Sequence, residues 1–298
     1  MLQRRLITAL LFASIFLLLP VRTSAQAEAQ SDSLVSVALN DGTTMQGRII
    51  QEREDTITIV TLGGLEVKIP RSSVVSIEPI RGRVVGGRLY RTDPNYSRLL
   101  LSPTGRPLHK GDGYFSDFWV FFPGVAYGLT ENVSMLAGMT ILPGLGLDEQ
   151  LYYVAPRIGT RASDNVAVSA GALYMTLLTE GISGGIVFGV ATFGQEDKSF
   201  TAGLGLPYLK EEGRDFAFAE NPILMLGGNV RLGNSIALVT ENWLILGDGF
   251  DLGEQPFTLA LRFIGERIAV DAGVLVVGSI LDEGFPVPLL SFTYNFGN

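Results

Sequence analysis

The chain has no cysteine and only one histidine in 298 residues. The first absence excludes disulfides and lipid attachment through an N-terminal thiol. The second excludes a histidine-rich metal centre. His109 stands beside Lys110, Gly111 and Asp112 in what reads as an outside loop. A Ser-His-Asp site needs its histidine next to a nucleophile and an acid, so this placement speaks against an enzyme. Asp112, Asp117, Asp148 and Glu149 carry oxygens of the kind calcium takes, but they read as solvated loop acids. No catalytic residue, metal or cofactor is expected. Basic residues are also few, 22 Lys+Arg against 30 Asp+Glu for a net charge of -8. That balance leaves no basic footprint for nucleic acid.

Long apolar runs are missing too, with one exception at the start. Arg4 and Arg5 precede the apolar run from Leu6 to Leu19, Pro20 breaks it, and Thr23-Ser24-Ala25 supplies small residues. These are the parts of a secretory signal over residues 1–25, and the run is short of the ~20 residues a spanning helix needs. No later run reaches that length, yet mean hydropathy is +0.31. High apolar content without a helical span fits strands that hide apolar residues by alternation. The 36 glycines suit turns and crowded barrel interiors and weaken helices.

The alternation itself is clearest at the C-terminus. In LLSFTYNFGN, Leu290, Phe292, Tyr294 and Phe296 share one face, and Ser291, Thr293 and Asn295 share the other. Residues 257–263, 268–276 and 133–141 read the same way. Membrane barrels show this pattern, apolar toward lipid and polar toward the lumen. A soluble lipocalin-like barrel shows it in the opposite sense. Here the second face is mostly Gly, Ala, Ser, Thr and Asn, too small and mixed for a water-facing exterior. An all-β fold is therefore expected, with an antiparallel up-and-down transmembrane β-barrel over residues 98–298. Short turns near 129–132, 161–165, 194–198, 233–234 and 265–267 alternate with longer connections near 142–149, 178–183, 208–221, 247–255 and 278–286. Short turns belong on the periplasmic side. With an ascending strand from Arg98 to Ser102 and a descending one from Phe115 to Tyr127, the total is about twelve. Two strands fit less well: residues 115–122 are apolar on both faces, and Glu241 and Asn242 stand side by side.

Ahead of the barrel, residues 33–80 read as about five short strands. Asn40-Asp41-Gly42 marks a hairpin, Gly47 a bend and Gly63-Gly64 a turn. So many short strands in so few residues resemble a small barrel of the SH3 or Sm type. Placed in the periplasm, this domain reads either as a plain folded module or as a docking site for a periplasmic protein or cell-wall component. Residues 81–97, with Arg81, Arg83, Arg88 and Arg91 among Gly and Pro, read as a linker.

The stretch LLLSPTGRPLHKGDGYFSDFWVFFPGVAYGLTENVSMLAGMTI, with VAVSAGALY, GVATFGQEDKSFTAGLGLPY, IALVTENWLI and RFIGERIAVDAGV, resembles a Bacteroidetes-type family of secreted outer-membrane β-barrel-like proteins. The resemblance covers roughly residues 95–298. It implies a barrel and a cell-envelope location, but no substrate and no catalytic residue.

Arg157, Arg231, Glu241, Arg262 and Asp271 fall on the face expected toward the lumen, Arg262 and Asp271 on adjacent strands of one hairpin. Two readings stay open. One is a charged constriction that selects small solutes, and the other is an internal salt-bridge network that fills a narrow barrel. Trp243 reads as an aromatic-girdle residue at the outer interface. Phe115, Phe118, Trp119, Phe121 and Phe122 give one wall an apolar surface, for a solute or for lipid. The expected protein sits in the outer membrane of a Gram-negative bacterium, with membrane lipid as its surroundings. It serves as a narrow channel or transporter for small or apolar solutes, or as an anchor for the periplasmic domain.

Overall fold

The computed structural model describes residues 34–80, 82–85, 88–211, 213, 215–276 and 286–297. The expected signal peptide lies outside them. Every regular element described is a strand or a single 3-10 turn.

Strands β1 (Leu34–Leu39), β2 (Thr44–Glu52), β3 (Thr56–Thr61), β4 (Glu66–Pro70) and β5 (Val74–Ile80) form one sheet in the order β4-β3-β2-β1-β5. Its neighbours are antiparallel throughout. Val35, Val37, Ile57, Ile59 and Ile69 make its core. At the first turn Gly42 adopts φ 84°, and Asp41 accepts a 2.8 Å bond from the Thr43 amide. That bond first, with the Thr43 side chain, holds the Asp41 carboxyl below its ordinary value. Gly47 does not bend the chain. It pairs in register with Val35 and Thr61, and a Cβ there would lie 2.2 Å from the Val60 carbonyl oxygen. The register slips further on, between Ile49 and Gln51.

The expected linker holds a hairpin, β6 (Gly82–Val85) with β7 (Arg88–Arg91). The barrel follows: β8 (Gly113–Phe118), β9 (Phe122–Gly128), β10 (Val133–Met139), β11 (Leu151–Ser163), β12 (Val166–Leu177), β13 (Ile182–Gln195) and β14 (Lys198–Lys210). After the two-residue β15 (Ala217–Phe218), which pairs with β14, come β16 (Ile223–Arg231), β17 (Ile236–Ile245), β18 (Phe257–Ile264), β19 (Ile268–Val276) and β20 (Val287–Phe296). β20 pairs with β8, from Ser291↔Phe118 to Phe296↔Gly113. This closes a ring of twelve antiparallel strands, all but β15 taking part.

The twelve differ in composition from those the sequence predicts. Residues 115–127 are two strands, β8 and β9, split by a tight turn in which Trp119 and Val120 take φ 52° and 68°. Arg98 to Ser102 is not a wall strand. It makes a single bridge, Arg98↔Pro103, and lies inside the barrel. The amides of residues 100–102 donate to the Glu241 carboxylate and not to a neighbouring strand.

The faces follow the pleat. On β18, Phe257, Leu259, Leu261 and Phe263 are exposed, while Thr258, Ala260, Arg262 and Ile264 are buried. On β20, Leu290, Phe292 and Tyr294 are exposed and Ser291 and Thr293 buried. The outer surface is thus a belt of large apolar side chains. Facing water it would forgo about 1.5–3 kcal/mol for each such side chain that lipid could cover, and this is the surface of an outer-membrane-type barrel. β17 holds its register throughout, so Glu241 points inward and Asn242 outward. The Asn242 amide donates to the Leu226 carbonyl at 3.2 Å and accepts from the Thr258 amide at 3.2 Å, so no bulge is needed. The connection between β12 and β13, expected as long, spans only residues 178–181.

Candidate functional site: a plugged lumen with an apolar chamber

Residues 92–112 enter and leave the barrel at the mouth formed by the short turns. At entry the Arg231 guanidinium donates to the Arg91 carbonyl and lies over the Tyr90 ring, 5.3 Å from its centroid. At exit the Gly111 amide bonds the Gly128 carbonyl at 3.0 Å. Between these points Asp93, Asn95, Ser97, Arg98, Leu99, Leu100, Ser102, Thr104, Arg106 and Leu108 are all buried. The lumen of this half is filled by the protein's own chain. Gly105 marks the closest approach to the wall, since a Cβ there would lie 2.1 Å from the Ala167 carbonyl oxygen.

Charged side chains of the wall hold this plug. Arg262 and Asp271 face each other in register, 1% and 0% exposed. Arg262 Nε donates to Asp271 Oδ1 at 2.6 Å and Nη2 to Oδ2 at 3.1 Å. Nη1 reaches Asp93 Oδ2 of the plug at 3.0 Å, and Nη2 also donates to the Leu99 carbonyl. Arg98 of the plug approaches Asp271 Oδ2 at 4.0 Å. Two cations and two anions therefore share this buried group, as charges out of water must.

Among the described residues, Glu241 and Arg157 hold the plug without a charged partner. The Glu241 carboxylate accepts from the amides of Leu100 at 2.9 Å, Leu101 at 3.0 Å and Ser102 at 3.0 Å. It also accepts from Ser102 Oγ and from Trp243 Nε1, each at 2.9 Å. Arg157 Nη1 donates to the carbonyls of Ser97 at 3.0 Å and Thr104 at 3.2 Å, and Nη2 to that of Arg106 at 3.3 Å.

Above the plug, toward the opposite mouth, the inward faces turn apolar. A cavity of about 370 Å³ opens there, within the range of small-molecule sites. Its walls include Phe118, Trp119, Phe122, Tyr153, Leu173, Met175, Ile186, Phe188, Met225 and Trp243, and the plug residues Ser97, Arg98, Leu101 and Ser102 border it. Trp119 stacks edge-on to Phe118 and Phe122, with centroids 5.6 and 6.4 Å apart. Trp119 Nε1 donates to the Pro288 carbonyl at 2.7 Å.

Of the five charges predicted for the lumen, only Arg262 and Asp271 meet each other. Glu241 and Arg157 grip the plug separately, and Arg231 pairs at the short-turn mouth with Asp197, at 3.3 Å. Asp93, in the expected linker, and Arg98, in the expected strand, complete the buried group, while Arg106 donates to Ser199 Oγ at 3.4 Å and to the Gly194 carbonyl at 3.0 Å. Trp243 is no girdle residue. It shares the inward face with Glu241, two residues away, and borders the cavity. The expected aromatic wall divides: Phe118, Trp119 and Phe122 border the cavity, while Phe115 and Phe121 are exposed. His109 is not in a long loop. It lies by the short turn after β9, 3.5 Å from Glu131 and against the Tyr96 ring. Among the described residues no three His, Cys, Asp or Glu side chains gather as metal ligands.

No family model matches the chain, and no curated protein matches it. Solved structures similar to it include the KdgM porin in complex with disordered oligogalacturonate, at TM-score 0.39 and 7% identity over 62% of this chain and 95% of that one. OmpT, an outer membrane protein of Vibrio cholerae, scores 0.34 at 10% identity, covering 89% and 95%. A Rhodopseudomonas blastica porin mutant scores 0.33 at 10% identity, covering 89% and 97%. The architecture itself rests on the strand pairing.

Proposed function

We propose that this is an outer-membrane protein of a Gram-negative bacterium whose barrel accepts small apolar solutes for passage. The observation that carries the reading is the apolar cavity between the open mouth and the plug. A polar sieve would line its lumen with charge, whereas here the charges hold the plug and the remaining space is greasy. Passage then requires the plug to shift, so the protein is a gated carrier for solutes and not an open pore. The short turns and the plug's two ends face the periplasm in this reading, which places residues 34–80 there.

Both tryptophans of the chain, Trp119 and Trp243, border the cavity, so intrinsic fluorescence reports its occupancy. In lipid nanodiscs a neutral brominated alkane is expected to quench this emission saturably. Ala155→Phe, which projects a ring into the cavity, is expected to abolish the saturable part. Quenching that never saturates, and is unchanged in the variant, overturns the reading.

The anchor reading keeps one observation in its favour. The five-stranded sheet has its own apolar core, and the chain runs from it through one hairpin into the plug. We read that sheet as a small SH3/Sm-type barrel for a periplasmic or cell-wall partner. Deleting residues 34–80 separates the two readings: solute binding retained with envelope integrity lost favours anchoring, and the converse favours transport.

A further inference from the structure

We propose that the cavity's ligand is a single-chain amphipath with an anionic head, lodged head-down on the plug. This rests on the apolar-solute reading and names its substrate class. Arg157 is the reason. It is a partly buried cation that borders the cavity, and its guanidinium donates to three neutral carbonyls. Among the described residues no carboxylate lies within 4 Å of it, whereas Arg262 has two acids in reach. A cation set into apolar walls without a countercharge is unfavourable, and an anionic ligand would supply that charge.

Two further groups on the same side of the cavity lack partners. Ser97 Oγ and Arg98 Nε are both buried and have no hydrogen-bond partner among the described residues, and both residues border the cavity. Guanidinium groups bind carboxylate and phosphate with oriented, charge-assisted bonds. Among the described residues, the rest of the wall carries no charged side chain. Trp119, Phe122, Met175, Phe188 and Met225 suit an alkyl chain, and the thioethers of the two methionines adapt to its shape. The ligand this arrangement selects is charged at one end and apolar along the rest.

The test uses the full chain in zwitterionic nanodiscs at pH 8, read by fluorescence of Trp119 and Trp243. The probes share one chain length: dodecanoate, dodecyl phosphate, methyl dodecanoate and dodecyltrimethylammonium. An anionic probe is expected to bind saturably and roughly tenfold or more tighter than the ester and the cation, the worth of one charged hydrogen bond. Whichever of dodecanoate and dodecyl phosphate binds tighter identifies the head group. Arg157→Gln is expected to erase the preference, so that acid and ester bind alike. Equal binding of acid and ester to the unaltered protein overturns the proposal, and that comparison stands even if Arg157→Gln fails to fold. Absence of saturable binding for every probe overturns the apolar-solute reading itself, a different outcome from binding without charge preference.

Discussion

Glu241 and Arg157 hold one segment of chain through opposite halves of the peptide group. Glu241, on β17, takes three successive amides of residues 100–102. Arg157, on β11, takes the carbonyls of residues 97, 104 and 106. The two strands stand five places apart in the ring of twelve, so the segment is gripped from nearly opposite walls. Successive amides pointing at one anion form a concave cradle. The plug is thus fitted to this barrel, and its release should be governed by these two side chains.

Glu241→Ala should open the lumen. It strands three amides, the Ser102 hydroxyl and the Trp243 indole in a buried site, at a cost of about 1–3 kcal/mol for each donor that water cannot reach. The unaltered protein should be silent in planar bilayers, and the variant should show repeated discrete currents. A silent Glu241→Ala barrel that still migrates as folded would mean the plug is held by other means.

Arg262 and Asp271 make a second, different prediction. Arg262→Ala leaves Asp271 and Asp93 buried without their main partner and should destabilise the barrel by about 3–5 kcal/mol. Arg262→Ala with Asp271→Ala should lose less than the sum of the two single variants, because the groups are coupled. Urea unfolding followed by the shift between folded and heated bands gives both numbers. Strict additivity would show that the pair contributes nothing as a pair.

Val120 sits at φ 68° in the turn between β8 and β9, where a β-branched residue crowds its own backbone. It is 69% exposed, so its side chain contributes little by burial. Val120→Gly should therefore raise stability by about 1 kcal/mol, in the same urea assay. A loss would show that the Val120 side chain makes contacts worth more than the relieved strain.

The same turn explains where the sequence misleads. Hairpin turns of this type favour Asn and Gly, and Trp119-Val120 carries neither, so residues 115–127 read as one strand. The apolar run at Leu99-Leu100-Leu101 then reads as the missing strand, and two errors leave the total at twelve. The outer face was legible because the pleat has period two and lipid demands apolar residues at every second position. The plug was not, because its residues answer to wall side chains far along the chain, as Ser97 does to Arg157 and Leu100 to Glu241. Trp243 could have been placed from parity alone: a carboxylate at position 241 must face inward, and so then must position 243.

The outward face gives the sharpest test of the membrane itself. Leu261 lies within β18 among exposed apolar residues, while Ile268 begins β19 beside the short turn. Arginine on the lipid face costs about 2–4 kcal/mol at the midplane and about 0–1 near an interface. Leu261→Arg should therefore weaken folding into bilayers from urea far more than Ile268→Arg. In a barrel surrounded by water neither change would exceed about 0.5 kcal/mol, as for ordinary surface positions, and Leu261→Arg would improve solubility by interrupting an apolar patch. A depth-dependent cost thus requires a hydrocarbon layer around the strands, and equal, negligible costs would return the protein to the soluble lipocalin-like class. In that case the cavity would remain, but as the binding site of a soluble protein.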